Sequence, residues 1–168
     1  NTINNFPIYI FKENNINSAL SLCSAQFYGR NDVIYLFTNN IKNVTCVDLL
    51  DRNLNIMKKI YNNDNWKYKT EDVYKYLEKD NNNYDLIMMD GWIWMFYIII
   101  KKYFKKIYNI TNKILMLTVS QKFWFKKFNN NYTTNGIKNY LENRYPDIKN
   151  LDITIHKRSD IDWLIFRK

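Results

Sequence analysis

The sequence predicts an α/β fold with a mostly parallel sheet, and two observations carry that prediction. Apolar runs of strand length alternate with helix-like segments through the middle of the chain. Three strand candidates or turns in this stretch each deliver a carboxylate at their end, namely Asp48, Asp72 and Asp90. Ligands of an open parallel sheet lie beyond the carboxyl ends of its strands, so these acids predict a ligand with hydroxyl, amino or positively charged groups. The strands are residues 44–48, 66–69 and 85–90, and the helices between them are residues 52–61 and 72–79.

Length and composition predict a single domain over residues 1–168, with residues 1–18 as an N-terminal extension. The two cysteines, Cys23 and Cys46, cannot form a disulfide framework, so we expect buried thiols in the cytoplasm or another reducing compartment, an organelle matrix included. His156 is the only histidine, and no Cys/His cluster predicts a metal. The longest apolar run, residues 92–100, is shorter than the roughly 20 residues that span a bilayer, so no membrane partner is expected.

The positive charge lies almost entirely in the second half of the chain. Residues 1–90 hold 10 Lys and Arg against 11 Asp and Glu, whereas residues 91–168 hold 15 against 5. A coding bias towards lysine would spread these residues evenly, so the asymmetry indicates an anionic partner such as nucleic acid. The alternative is a basic face that is simply solvated.

The elements outside the central stretch follow from the same periodicity. Residues 6–11 form an apolar run that is either an extra strand or a cover for the sheet. Apolar positions at helical spacing predict helices over residues 32–37, 95–110 and 136–147, with lysines on the outer face of the second. Further strands are residues 19–24, 113–119, 151–157 and 162–167, and a turn at Ser159-Asp160 would pair the last two as an antiparallel hairpin.

This order resembles the Rossmann-like (class I) S-adenosylmethionine-dependent methyltransferases. The resemblance implies a three-layer α/β/α fold whose seven-stranded sheet is parallel except for an antiparallel last strand. It covers residues 18–168, and the terminal hairpin is its most discriminating part.

Three motifs carry the resemblance and imply S-adenosylmethionine as the cofactor. The sequence VTCVDLLDRN resembles the second-strand motif, in which Asp48 would bind the ribose hydroxyls beside Leu49. The sequence TEDVYKYL resembles the third-strand motif, in which Asp72 would accept from the adenine amino group and Val73 would touch the ring. YDLIMMD resembles the fourth-strand motif, which places Asp90 at the methyl-transfer site as the catalytic residue and a cofactor contact. The alternative for Asp48 and Asp72 is that each caps a helix.

The first-strand motif departs from the family pattern. Ser21 stands where the family has an acid, and Ala25 and Phe27 stand where it has glycines. We expect Ser24 and Ala25 to contact the cofactor, and the Phe27 ring either to fill the methionine pocket or to point away along a different loop path. The sequence therefore predicts that the adenosine half of the site is kept and that the methionine half differs.

Two aromatic and basic segments are candidates for binding nucleic acid. Trp92 and Trp94 follow Asp90 without the prolines of the nucleic-acid amino-methyltransferases, and either stack on bases or pack the start of the next helix. Residues 121–128 interleave aromatic side chains with lysines, which suits base stacking with phosphate contact or a short amphipathic segment on the sheet edge. The candidate residues here are Lys122, Trp124, Lys126 and Lys127.

The predicted function is a methyltransferase-like protein that acts on or binds RNA. The alternative is a catalytically silent scaffold that binds RNA in a ribonucleoprotein particle such as a ribosome, with protein partners there. A third class, aminopropyl transfer from decarboxylated S-adenosylmethionine, is disfavoured because a basic second half repels polycationic acceptors.

Overall fold

The computed structural model describes residues 5–158 and 161–168, which form a three-layer α/β/α domain. Its strands are β1 Ser18–Leu22, β2 Asn43–Asp48, β3 Trp66–Thr70, β4 Tyr84–Met89, β5 Thr111–Val119, β6 Asp152–His156 and β7 Asp162–Arg167. Its helices are α1 Tyr9–Glu13, α2 Val33–Thr38, α3 Asp51–Ile60, α4 Val73–Lys79, α5 Ile93–Ile98, α6 Phe104–Ile110, α7 Gln121–Phe128 and α8 Thr134–Arg144.

The seven strands form one sheet in the order β3-β2-β1-β4-β5-β7-β6. Neighbours pair in parallel except at β7, which is antiparallel to both β5 and β6. This is the predicted fold, including the reversed last strand. The turn predicted at Ser159-Asp160 lies outside the described residues.

Side chains alternate between two apolar layers, as they must in a sheet that is covered on both faces. In β1, Leu20 and Leu22 join the cluster that also holds the inward faces of α4 to α8. Ala19 joins the opposite cluster, with Leu54 and Met57 of α3. Helices therefore cover both faces of the sheet.

Two sequence predictions change in detail. The strand alternative for residues 6–11 is wrong, because this segment leads into α1 and buries Phe6 and Ile10 in the core as a cover for the sheet. The amphipathic stretch is not one continuous α-helix, because a π-helical turn, Ile99–Tyr103, joins α5 to α6. Its apolar face is nevertheless buried as predicted.

The N-terminal segment packs against the terminal hairpin of β6 and β7. The Asn5 side-chain amide donates to the Lys157 carbonyl at 3.0 Å, and the Tyr9 hydroxyl lies 3.4 Å from His156 Nδ1. The Phe6 ring meets the fully buried Trp163 ring at 5.9 Å between centroids. His156 thus has a structural role in holding this segment.

The strand order reverses between β1 and β4, which is where an open sheet of this kind leaves a crevice at its carboxyl edge. The segments that follow β1, β2, β3 and β4 converge on this edge. Within the described residues, no helix is both long enough and apolar enough to cross a membrane.

Candidate ligand site at the carboxyl edge of the sheet

A cavity of about 480 Å³ opens at the carboxyl ends of β1 to β4. It brings together four of the predicted cofactor residues, Asp48, Leu49, Asp72 and Val73. We call it the nucleoside cavity, after the ligand that the sequence predicts for these residues, and its remaining lining residues are Cys23, Gln26, Leu50, Tyr74, Trp92 and Met95.

Asp48 is fixed in the wall of this cavity by the backbone. Its Oδ2 accepts from the Ala25 N–H at 2.9 Å, and its Oδ1 accepts from the Leu50 N–H at 3.0 Å. Leu50, not Asp48, precedes α3 as its N-cap residue, so the helix-cap alternative for Asp48 is wrong. Each carboxylate oxygen has a second lone pair, so the held carboxylate can still accept from a ligand hydroxyl.

Asp72 is both the N-cap of α4 and a wall of the nucleoside cavity. Its Oδ1 accepts from the backbone N–H groups of Tyr74 and Lys75 at 2.9 and 3.0 Å. Both bonds use the same carboxylate oxygen. The capping alternative is therefore correct, and it is compatible with ligand contact through Oδ2.

A second cavity of about 310 Å³ adjoins the first and shares Cys23, Gln26 and Trp92 with it. We call it the polar cavity because two acids and an arginine line it: Asp32, Asp90 and Arg158.

Asp90 enters the polar cavity from the end of β4. Its Oδ1 lies 3.6 Å from an Arg158 guanidinium nitrogen, whereas its buried Oδ2 has no hydrogen-bond partner in the described part of the chain. Burial raises the pKa of Asp90 above its ordinary value, and the Arg158 charge opposes that shift. A half-satisfied buried carboxyl of this kind is suited to a polar or cationic ligand group.

Asp32 was not predicted as a site residue. It is buried at the start of α2, where its Oδ1 accepts from the Val33 N–H at 2.7 Å. Its Oδ2 accepts from the Ser21 hydroxyl at 3.0 Å. An acid therefore reaches the end of β1 from the next helix, beside the serine that stands in the family's acid position. Burial, reinforced by the Asp90 charge, raises the pKa of Asp32 to about 8.

The loop after β1 has an unusual backbone. Cys23, Phe27, Tyr28 and Gly29 all have φ between 53° and 73°, a region that favours glycine. The Phe27 ring is 59% exposed and forms part of the wall of the polar cavity, so it does not plug the site. The loop thus makes its left-handed turns mostly without glycine.

The predicted direct contacts of Ser24 and Ala25 with the cofactor are wrong for this conformation. Both residues are buried, with exposures of 1% and 0%, and neither lines the nucleoside cavity or the polar cavity. Ala25 acts instead through its backbone, because its N–H group orients Asp48.

Comparison with solved structures identifies the fold. An O-methyltransferase from Bacillus cereus, crystallised with SAH, matches with a TM-score of 0.65 at 12% identity, over 96% of this chain and 78% of that one. A S-adenosylmethionine-dependent methyltransferase from Clostridium acetobutylicum matches with a TM-score of 0.62 at 15% identity, over 95% and 89%.

This chain has the Rossmann-like methyltransferase fold. The 16S rRNA methylase RmtB shares it, with a TM-score of 0.58 at 11% identity over 95% of this chain and 59% of that one. No protein-family model matches the sequence, and no curated protein matches it. At these identities the likeness is one of fold.

Of the aromatic candidates for binding nucleic acid, Trp92 lines the polar cavity and Trp94 follows it in α5. Trp92 and Trp94 are 70% and 58% exposed. The Lys127 ammonium lies 4.4 Å from the centre of the Trp94 ring, which joins α7 to the start of α5. Both tryptophans are therefore accessible to a stacking partner.

Helix α7 separates its aromatic residues by face. Lys122, Phe125 and Lys126 are exposed, and Phe125 is 61% exposed. Trp124 is fully buried and packs 4.4 Å from Phe128, so its predicted role in stacking on nucleic acid is wrong. Phe125 is the aromatic side chain of α7 that a base could reach, and the 3.6-residue period of the helix was the signal for it.

Proposed function

We propose that this chain binds S-adenosylmethionine across the nucleoside and polar cavities. The observation that carries the proposal is the convergence of Asp48 and Asp72 in one cavity at the switch point of the sheet. Asp48 would accept hydrogen bonds from the ribose hydroxyls, Asp72 from the adenine amino group, and Val73 would pack on the ring. The amino-acid part of the cofactor would extend into the polar cavity, where the unpartnered Asp90 oxygen suits a cationic group.

The bound cofactor supplies a methyl group on a sulfonium centre, and the chain's own residues position the acceptor against it. Asp90 lines the polar cavity together with the exposed Trp92, and we propose that an acceptor meets the cofactor there. Asp90 is the proposed catalytic residue, because its carboxyl can orient the acceptor by a hydrogen bond, and burial raises its pKa.

We propose RNA as the acceptor or binding partner. The support is the pair of exposed tryptophans beside Asp90 together with the lysines of α7, Lys122, Lys126 and Lys127. Exposed rings stack on unpaired bases, and lysines neutralise the neighbouring phosphates. One of the similar structures is a 16S rRNA methylase.

Calorimetric titration with S-adenosylmethionine tests the cofactor proposal. We expect Asp72→Asn to weaken binding by tenfold or more, because the amide keeps the helix cap but loses the acceptor charge. Each factor of ten in affinity corresponds to about 1.4 kcal/mol of binding free energy. Asp64→Asn is the matched control, since Asp64 is exposed between α3 and β3 at the opposite edge of the sheet. Absence of binding at millimolar ligand would overturn the proposal.

The second candidate is a methyltransferase-fold protein that binds RNA without catalysis. The loop after β1 favours it, because side chains occupy the turns where the family has glycines. Titration of single-stranded RNA at increasing salt separates the two functions. A steep salt dependence that Asp72→Asn leaves unchanged, without cofactor binding, identifies the silent form.

The lysines of α7 are tested in the same RNA titration. Charge removal at Lys122 and Lys126 should reduce the salt slope by about one to two. Removal at Lys58 and Lys59, which are exposed in the last turn of α3 at the other edge, should leave both slope and affinity unchanged. Equal effects of the two double variants would contradict a specific RNA surface.

A further inference from the structure

Arg158, which follows β6, is held rigidly in the wall of the polar cavity. Its Nε donates to the Ile161 carbonyl at 2.9 Å, and its guanidinium lies 5.1 Å from the centre of the buried Trp163 ring. Only 14% of its side chain is exposed. A guanidinium fixed by one hydrogen bond and one ring keeps its outer N–H groups pre-oriented for another partner.

The ion pair between Arg158 and Asp90 leaves hydrogen-bonding groups of both side chains available to a ligand. The closest approach of the two groups is 3.6 Å, which is longer than an N–H···O hydrogen bond. Asp90 Oδ2 has no partner among the described residues. Asp32, the other acid of the cavity, is largely protonated at neutral pH because burial raises its pKa to about 8. One fixed cation and one fixed anion therefore remain side by side in the polar cavity.

A ligand group that satisfies this pair must carry both charges. A guanidinium matches a carboxylate in two parallel hydrogen bonds, and a carboxylate accepts from an ammonium group. The free α-amino-acid group has both charges on one carbon atom. Cys23, Gln26 and Trp92 line both the polar cavity and the nucleoside cavity. The two cavities are therefore adjacent, and the proposal places one ligand across both.

We propose that Arg158 is the specificity-determining residue of this site, binding the α-carboxylate of a nucleoside-linked amino acid whose ammonium group meets Asp90. This inference rests on the proposed function, because it assigns the amino-acid half of the same ligand. The Arg158 side chain would then make the contacts that a glycine-rich loop offers through its backbone. It also predicts that nucleosides without the carboxylate bind more weakly.

The test compares two sulfonium ligands that differ only in the carboxylate, and a nucleoside that lacks the whole amino-acid group. Calorimetric titration of the wild-type chain with S-adenosylmethionine, decarboxylated S-adenosylmethionine and 5′-methylthioadenosine should give affinity about 30-fold tighter for the carboxylated ligand than for the decarboxylated one, as expected for a charged hydrogen bond. Arg158→Gln should abolish this difference and leave the affinity for 5′-methylthioadenosine unchanged.

Lys157→Gln is the matched control. The Lys157 ammonium contacts Asp162 and the Tyr132 ring instead of the polar cavity, so the preference for the carboxylate should persist. Equal affinity of the wild-type chain for the two sulfonium ligands would overturn the inference, and this comparison needs no variant to fold. Binding of 5′-methylthioadenosine in that case preserves the proposed function, whereas absence of binding by all three ligands overturns both.

Discussion

The left-handed loop after β1 predicts that glycine at Phe27 stabilises the chain relative to alanine. Phe27 has φ 53° and ψ 24°, and Tyr28 follows with φ 55° and ψ 37°. An L-residue in this conformation costs about 1–2 kcal/mol, whereas glycine escapes that strain and loses about 0.5–1 kcal/mol of backbone entropy. Phe27→Gly should therefore be about 1 kcal/mol more stable than Phe27→Ala.

Alanine is the correct reference because both variants lose the same ring, which is already 59% exposed. Urea unfolding at 25 °C gives the free-energy difference, and thermal unfolding should show Phe27→Gly melting about 2–4 °C higher for a domain of this size. The matched pair lies in α7, where Phe125 is 61% exposed and helical. There, glycine should be about 1 kcal/mol less stable than alanine.

A left-handed conformation at Phe27 would be refuted if Phe27→Gly is no more stable than Phe27→Ala, while glycine at Phe125 is less stable than alanine. In that result the loop would not have positive φ at Phe27. The path around Gln26, which contributes to both cavities, would then be different.

Three further predictions concern the buried groups. Asp32 keeps its proton up to about pH 8 in the native chain, whereas in the unfolded chain it loses the proton near the ordinary aspartate pKa of 3.8. The free energy of unfolding of the wild type should therefore fall as the pH rises from 3.8 to 8, by at most about 1.4 kcal/mol per pH unit. Asp32→Asn should flatten this dependence in urea unfolding from pH 5 to 9. Tyr84→Phe should lose about 1.5–3 kcal/mol in the same assay at pH 7, because the Tyr84 hydroxyl donates to buried Asp80 at 2.7 Å. Trp124→Ala should lose about 3–5 kcal/mol by leaving a cavity under α7, and an unchanged midpoint would contradict its burial.

The fold could be predicted largely from apolar periodicity. The run at residues 85–90 has no charge between its terminal acids, and it forms the central strand β4 over Tyr84–Met89. A strand that is buried on both faces gives an uninterrupted apolar run, because the residues that point to each face must both be apolar. The π-helical turn at Ile99–Tyr103 could not be predicted, since widening a helix by one residue in mid-segment hardly changes which residues are apolar.

The site could be predicted only where its residues end strands. Asp48 and Asp90 end apolar runs, Asp72 follows the more polar strand β3, and the sheet brings such strand ends together. Asp32 caps a helix, and its pairing with Ser21 depends on tertiary packing across 11 residues. Arg158 lies after β6, and nothing local distinguishes it from other surface cations. The lysines around Trp124 suggest an exposed ring, whereas the helical period places it on the buried face of α7.

The packing of the N-terminal segment on the terminal hairpin has a kinetic consequence. The hydrogen bond from Asn5 to Lys157 joins positions 152 apart in the chain. Contacts between residues so far apart in the chain form late, because closing the loop between them costs entropy before the contact adds any stability. We therefore expect Phe6 to reach Trp163 late in folding, in the apolar layer that also holds α3. An intermediate with a complete sheet but an undocked α1 would expose that face to self-association.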